Sequence, residues 1–219
     1  MIPLPLALLF AGAAVSDETG ARSGTAPLEL AFLGADEEFV APESPRDNDK
    51  RCAGQEPREP DTSDNRNSAV MLLGFGPFRF FDGGDLTWNA EASLVCPRDR
   101  VGGAVDVFQI DHHGLDTSNN PVLLRTLEPT VVVVNNGPRK GNGPASFAAV
   151  RKMPSVQAVY QVHRNLVSPE SNSAPDRIAN ELEDCAAHFV KLSVAPDGRS
   201  YSLAVPSRGH REVYRTRGD

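Results

Sequence analysis

The sequence predicts an α/β fold, and three observations carry the prediction. Apolar runs alternate with helix-compatible segments in β-α-β-α-β order across residues 104–162. One run, "TVVVV" (130–134), is continuous and β-branched, as a strand covered on both faces is. Three runs in succession end in polar, glycine-containing stretches: "FDGGDLTWNAE", "DHHGLDTSNN" and "NNGPRKGNGP".

Taken in order, residues 1–16, "MIPLPLALLFAGAAVS", form an apolar run that ends in small residues, like a secretory signal. The run is too short for a stable membrane span. It lacks a basic start, since the first Lys or Arg is Arg22. Export is the favoured expectation. The alternative is the start of a fragment, with a cytoplasmic location. Residues 17–67 are rich in Pro, Asp, Glu, Arg and Asn and read as a loop or linker, largely irregular. "LELAFL" (28–33) reads there as one isolated strand, and the N-terminal segment is otherwise expected to be disordered.

From residue 68 the pattern changes to that of an α/β unit reaching 205. "AVMLLGF" and "FRFF", separated by Gly and Pro, read as a hairpin. "DGGDLTWNAE" is a glycine loop running into a helix. "AVDVFQI" (104–110) is a strand, "PVLLRTLEP" a short helix, "ASFAAVRKM" a helix and "VQAVYQV" a strand. A further helix is expected after Ser173 as N-cap, with Ile178, Leu182, Cys185 and Phe189 on one face. "FVKLSVA" and "SYSLAV" flank the turn signal "PDGR" and form a closing hairpin. Residues 206–219 read as a charged tail.

The chain has 219 residues and a net charge of −7, which argues against binding nucleic acid through phosphate neutralisation. No sequence-specific nucleic-acid binding is expected. A small anionic substrate held by a metal remains open. The three cysteines include no CxxC pair, which disfavours a zinc ribbon. Two readings stand level: a Cys52–Cys96 disulfide with Cys185 buried in a helix, or three unrelated thiols.

In open α/β sheets, ligands collect beyond the carboxyl ends of the strands, where the three polar stretches fall. Asp and His side chains together suit Zn, Mn or Fe. Asp85 is the carboxylate candidate, since the preceding glycines free the backbone to turn it inward; His112 and His113 are the imidazole candidates. The bland alternatives are that Asp82 and Asp85 cap a turn, and that one histidine is satisfied in the core while the other is solvated. Asp116, Thr117 and Ser118 are expected to cap the helix at Pro121. Asn135 and Asn136 are expected to brace a loop, Arg139 and Lys140 to be solvated, and Trp88 to pack against the loop. His163 could face the site; His188 and His210 read as structural. No phosphate-cradling GxxxxGK[ST] exists.

Together, "DNRNSAVMLLGFGPFRFFDGGD" and "VDVFQIDHHGLDTSNNP" resemble the metallo-β-lactamase-fold hydrolases, in particular the branch of the ComEC-type competence proteins. The likeness covers roughly residues 64–165 and matches the second half of that fold. It implies an αββα sandwich with metals at one sheet edge. By that likeness Asp85 matches the metal-bridging aspartate, and the histidine motif near the metals matches His112 or His113. The expected function is a metal-dependent hydrolase acting on an ester or phosphodiester through a metal-bound hydroxide, with Asp85 and His113 catalytic. Zinc, or else manganese or iron, is the implied cofactor. The family's H-x-H-x-D-H motif is absent, because no histidine precedes His112, and its "GHP"-type turn is replaced by "KGNGPASF". The chain as given is therefore expected to be truncated and inactive. The alternative is a non-catalytic, partner-binding module. A missing first half would also leave an apolar face open to self-association.

Overall fold

The structure, a computed structural model, describes residues 7–8, 25–40 and 46–218. Its first elements are β1 (Ala7–Leu8), β2 (Leu28–Ala35), β3 (Glu38–Phe39), β4 (Arg46–Asp47) and α1 (Asp49–Cys52). The hairpin β5 (Val70–Phe75) and β6 (Phe78–Asp82) follows, then α2 (Trp88–Val95) and β7 (Arg98–Asp99). Next come β8 (Val107–Gln109), α3 (Pro121–Leu127), β9 (Val131–Val134), α4 (Pro144–Lys152) and β10 (Ala158–His163). The last strands are β11 (Ile178–Asn180), β12 (Lys191–Val194), β13 (Ser200–Val205) and β14 (His210–Arg215).

These strands build a mixed eight-stranded sheet in the order β11-β10-β9-β8-β6-β5-β2-β3. The strands from β11 to β6 run parallel, and β5, β2 and β3 continue antiparallel. The β5–β6 hairpin closes through Gly76, whose φ of +56° is a conformation glycine adopts without a Cβ clash. From β6 to β10 each crossover steps in the same direction across the sheet. Right-handed crossovers in one direction put their helices on one face. Accordingly Leu94 and Val95 of α2, Leu123 and Leu127 of α3, and Phe147 and Val150 of α4 share a core with Phe81, Phe108, Val132 and Val134.

The other face is covered by a smaller sheet, ordered β1-β12-β13-β14. Leu192, Tyr201, Leu203 and Tyr214 of that sheet pack on Phe78, Phe80, Val107, Val131 and Val133. All four residues of β9 are buried, which is the two-sided cover its unbroken valine run requires. The architecture is thus α/β, with helices, a mixed sheet and a second sheet in three layers. A fourth layer, as in an αββα sandwich, has no counterpart among the described residues.

Several expectations need correction. "LELAFL" is a strand but not an isolated one: β2 pairs along β5, from Leu28 opposite Phe75 to Gly34 opposite Val70. The helix expected after Ser173 is a single 3-10 turn, Pro175–Arg177, followed by β11. Ile178 is fully buried while Leu182 is 71% exposed, so the one apolar face of a helix does not exist there. The open side of β10 takes Ile178–Asn180 as a parallel partner instead. Cys185 lies outside any helix and is half-buried. The charged tail contains β14, which pairs with β13 along its whole length, and Arg217 N–H donates to Asp106 Oδ1 at 2.8 Å. Apart from Ala7–Leu8, the signal-like run 1–16 lies outside the described residues, as do residues 17–24 of the linker. Of the two cysteine readings, the structure has the Cys52–Cys96 disulfide.

Candidate functional site

The parallel strands deliver their loops to one sheet edge. Asp82 ends β6, the 3-10 turn Asp111–Gly114 follows β8, Asn135 follows β9 and His163 ends β10. The first two loops are stitched together. His112 N–H donates to Gly84 O at 2.8 Å, and Gly83 N–H donates to Asp111 Oδ1 at 3.1 Å. A Cβ on Gly83 would fall 2.5 Å from that carboxylate oxygen, so the close approach requires glycine. Asp82 faces inward as a brace, accepting from Gly84 N at 2.9 Å and from Gln109 Nε2 at 2.6 Å. Burial raises its pKa. Asp85 is steered outward by its own N–H, which donates to Ser68 Oγ at 3.0 Å.

The two histidines hold an unusual backbone. His112 has φ/ψ of 51°/45° and His113 57°/16°, both left-handed and neither glycine. Each such residue costs about 1–3 kcal/mol and persists only where its surroundings over-determine it. Those surroundings are Asn142 N–H on His113 O and Gly143 N–H on Gly114 O, both 2.8 Å, with a buried acid pair beneath. Glu91 of α2 accepts the Asn119 and Asn120 N–H groups at 2.7 Å each. Burial pushes the neighbouring Asp111 well above the usual carboxylate range, and the Glu91 charge adds to the effect. Burial raises the pKa of Glu91 as well.

On this base the structure brings Asp85 and His113 together. His113 Nε2 lies 3.7 Å from Asp85 Oδ1, and His113 Nδ1 lies 3.1 Å from the Asn135 carbonyl. A carbonyl only accepts, so Nδ1 carries a proton, which leaves Nε2 on the side of Asp85. This is the arrangement in which a ligating imidazole is oriented by a second partner. The Asp85 side chain is 37% exposed and that of His113 15%, so the pair is reachable from solvent.

His112 stands beside them, with ring centroids 6.2 Å apart, and faces elsewhere. Its Nδ1 is 3.3 Å from Ser118 Oγ, and its Nε2 is 3.4 Å from Asn65 Nδ2. Burial lowers its pKa, against the pull of Asp85. His112 also lines a cleft of about 700 Å³, together with Asp61, Asn65, Trp88 and Arg58. The Arg58 guanidinium lies 3.3 Å above the Trp88 ring, and Trp88 Nε1–H donates to Glu56 O at 3.1 Å. Trp88 thus packs against a loop, the 56–58 segment.

One carboxylate oxygen and two imidazole nitrogens fit zinc, manganese or iron in donor type. His113 Nε2 beside Asp85 Oδ1 fits, in donor type and place, a cation held by those two residues. Among the described residues, no group of three or more His, Cys, Asp or Glu side chains gathers around one point. The remaining candidates have structural partners. Asp116 caps α4, accepting from Ser146 N at 2.8 Å, and Asn120 rather than Asp116 caps α3. Asn136 braces the His163 carbonyl at 2.8 Å, and exposed Arg139 pairs with Glu183 at 2.8 Å. His163 Nε2 meets Cys185 Sγ at 3.7 Å instead of Asp85. His210 sits between Asp176 and Tyr160, and His188 N–H donates to Asn180 Oδ1 at 2.9 Å. Sequence reasoning missed Glu91, Arg58 and Asn65. Only Asn65 carried a signal, since it belongs to the "DNRNS" lead-in to the hairpin.

No family model matches the chain. Recombination protein 2 of Haemophilus influenzae is 35% identical over 75 residues, which is 34% of this chain and 9% of that protein. The match supports, for a third of the chain, the competence-protein branch that the motifs resemble. The chain spans under a tenth of the length of this curated relative.

Proposed function

We propose that this edge is the cation-binding part of a metallo-β-lactamase-type hydrolase site, acting on an ester or phosphodiester. The 3.7 Å approach of His113 Nε2 to Asp85 Oδ1, with the opposite ring nitrogen tied to Asn135, carries the proposal. Asp85 and His113 would hold zinc, manganese or iron, with His112 as a third ligand if Asn65 releases its Nε2. Such a cation lowers the pKa of a bound water towards neutrality. The chain's own residues do the rest. Where it is not a ligand, His112, its pKa lowered by burial, stands as an uncharged ring beside the cleft. The cleft beside it, walled by Trp88 and Arg58, receives the substrate body, and Arg58 offers a cation to an anionic group. The Cys52–Cys96 disulfide supports an exported location, since such bonds persist in oxidising compartments. Among the described residues no helix is long and apolar enough to cross a membrane.

Zinc content after dialysis tests the proposal. Near-stoichiometric zinc is expected, falling by tenfold or more in Asp85→Ala and His113→Ala. Unchanged content in both variants overturns it. A second reading, a non-catalytic partner-binding module, is favoured by one observation: Leu28, Leu30 and Phe32 on β2 are 55%, 52% and 63% exposed. Stable zinc binding without turnover of an ester or phosphodiester would select that reading.

A further inference from the structure

With Cys52 and Cys96 joined, Cys185 keeps a free thiol. An odd thiol in a chain that carries a disulfide is a candidate for reaction. Cys185 sits in the loop between β11 and β12, half-buried, and both its neighbours, Asp184 and Ala186, are exposed. The loop is pinned where it leaves and where it returns. Asn180 Nδ2 donates to Val162 O and to His188 O, both at 2.8 Å, and His188 N–H donates to Asn180 Oδ1 at 2.9 Å. Between these ends Arg139 holds Glu183 at 2.8 Å, and Arg164 holds Glu181 at 3.2 Å. The ties deliver Cys185 Sγ to 3.7 Å from Nε2 of His163, the last residue of β10, which is contact reach for the larger sulfur atom. The other ring nitrogen is an exception to the usual pairing of buried polar atoms: His163 Nδ1 is buried and has no hydrogen-bond partner among the described residues.

A nucleophilic thiol needs a base within reach, and His163 is the imidazole in that place. Burial lowers the pKa of the ring, so it is uncharged near neutral pH. With no acceptor on Nδ1, an imidazolium here is short-lived: the ring takes a proton at Nε2 and hands it on. We propose that Cys185 and His163 form a thiol-exchange site for a low-molecular-weight disulfide. His163 Nε2 accepts the Sγ proton, and the thiolate attacks one sulfur of the incoming disulfide. The new S–S bond to Cys185 forms as the old one breaks, and the departing thiolate takes the proton from Nε2. The Cys185 sulfur is oxidised, the departing sulfur is reduced, and the chain is left carrying a mixed disulfide. A half-buried thiol in a loop folded against β10 suits a small reagent better than the broad approach of a second folded chain. The site does not use the Asp85–His113 pair and does not depend on the cation reading.

Incubation of the full chain, prepared without reductant, with oxidised glutathione tests the proposal by mass spectrometry of the intact protein. One glutathione per chain is expected, located at Cys185 by peptide mapping and absent in Cys185→Ser. The folded chain should react about tenfold or more faster than the same chain in urea, a comparison that needs no variant. His163→Gln should lose that advantage when folded and match the parent in urea. Melting curves confirm that each variant folds. No adduct on the folded parent, a folded rate no faster than the unfolded one, or an unchanged rate in folded His163→Gln overturns the proposal, as does a disulfide-linked dimer in place of the adduct.

Discussion

Leu28 stands opposite Phe75, and Leu30 opposite Leu73, on neighbouring antiparallel strands. Residues directly opposite in a sheet point to the same face. Phe75 and Leu73 are nonetheless 8% exposed, while Leu28 and Leu30 are 55% and 52% exposed. The small sheet covers the first pair and stops short of the second. Position in a sheet and apolar character therefore do not make a core residue; cover from a second layer does. β2 has the apolar alternation of a strand with one buried face, and nothing among the described residues covers that face.

The largest expected effect tests this contrast directly. Leu73→Ala should cost about 2–5 kcal/mol, because it removes buried methyl groups and leaves a cavity. Leu30→Ala should cost under about 0.5 kcal/mol. Urea unfolding of the two variants measures both, and equal costs would break the comparison. A smaller effect concerns association. Exposed apolar strands at sheet edges pair with other chains, so the protein should self-associate at high concentration. Leu30→Glu/Phe32→Glu should return it to monomer in sedimentation velocity, and a parent that is already monomeric would count against a sticky β2.

The smallest effect carries the contrast of cover and exposure to polar groups. Burial lowers the pKa values of both His112 and His163 below the ordinary 6.5. An unfolded chain then takes up protons more readily than the folded one. The associated stability is fully present above pH 6.5 and is lost as pH falls through the folded values. The melting temperature should drop by a few degrees between about pH 6.5 and 5. His163→Gln should flatten that slope in part; an identical slope would show that His163 is not covered as described.

Much of the α/β order was legible because local pattern and tertiary demand agreed. The hairpin, the α2 loop, and the run from β8 through β10 follow from apolar periodicity and from glycine and proline punctuation. Local pattern misled where a neighbour decided the outcome. Ile178, Leu182, Cys185 and Phe189 have helical spacing, yet β10 needed a partner strand, and Asn180 then tied the chain by bonding Val162 O and His188 O at 2.8 Å each. β14 was hidden by its charges: in "HREVYR" Tyr214 is the one buried residue, so the strand has little apolar signature. At the site, loop position alone brought Asp85 towards the histidine pair but left open which of His112 and His113 it meets. Glu91 could not, because a fully buried acid in an ordinary helical stretch gives no pattern to read.

The Cys52–Cys96 bridge has a consequence for how the cleft wall is kept. It joins residues 44 positions apart, anchoring the largely irregular arm before β5 to the end of α2. A protease cutting the arm beside the cleft-lining Pro57, Arg58 and Glu59 would leave two fragments that still migrate as one molecule until a thiol reagent parts them. The wall beside His112 is in that sense tethered at both ends of its own backbone, and survives a single scission as a hinged flap rather than a lost piece.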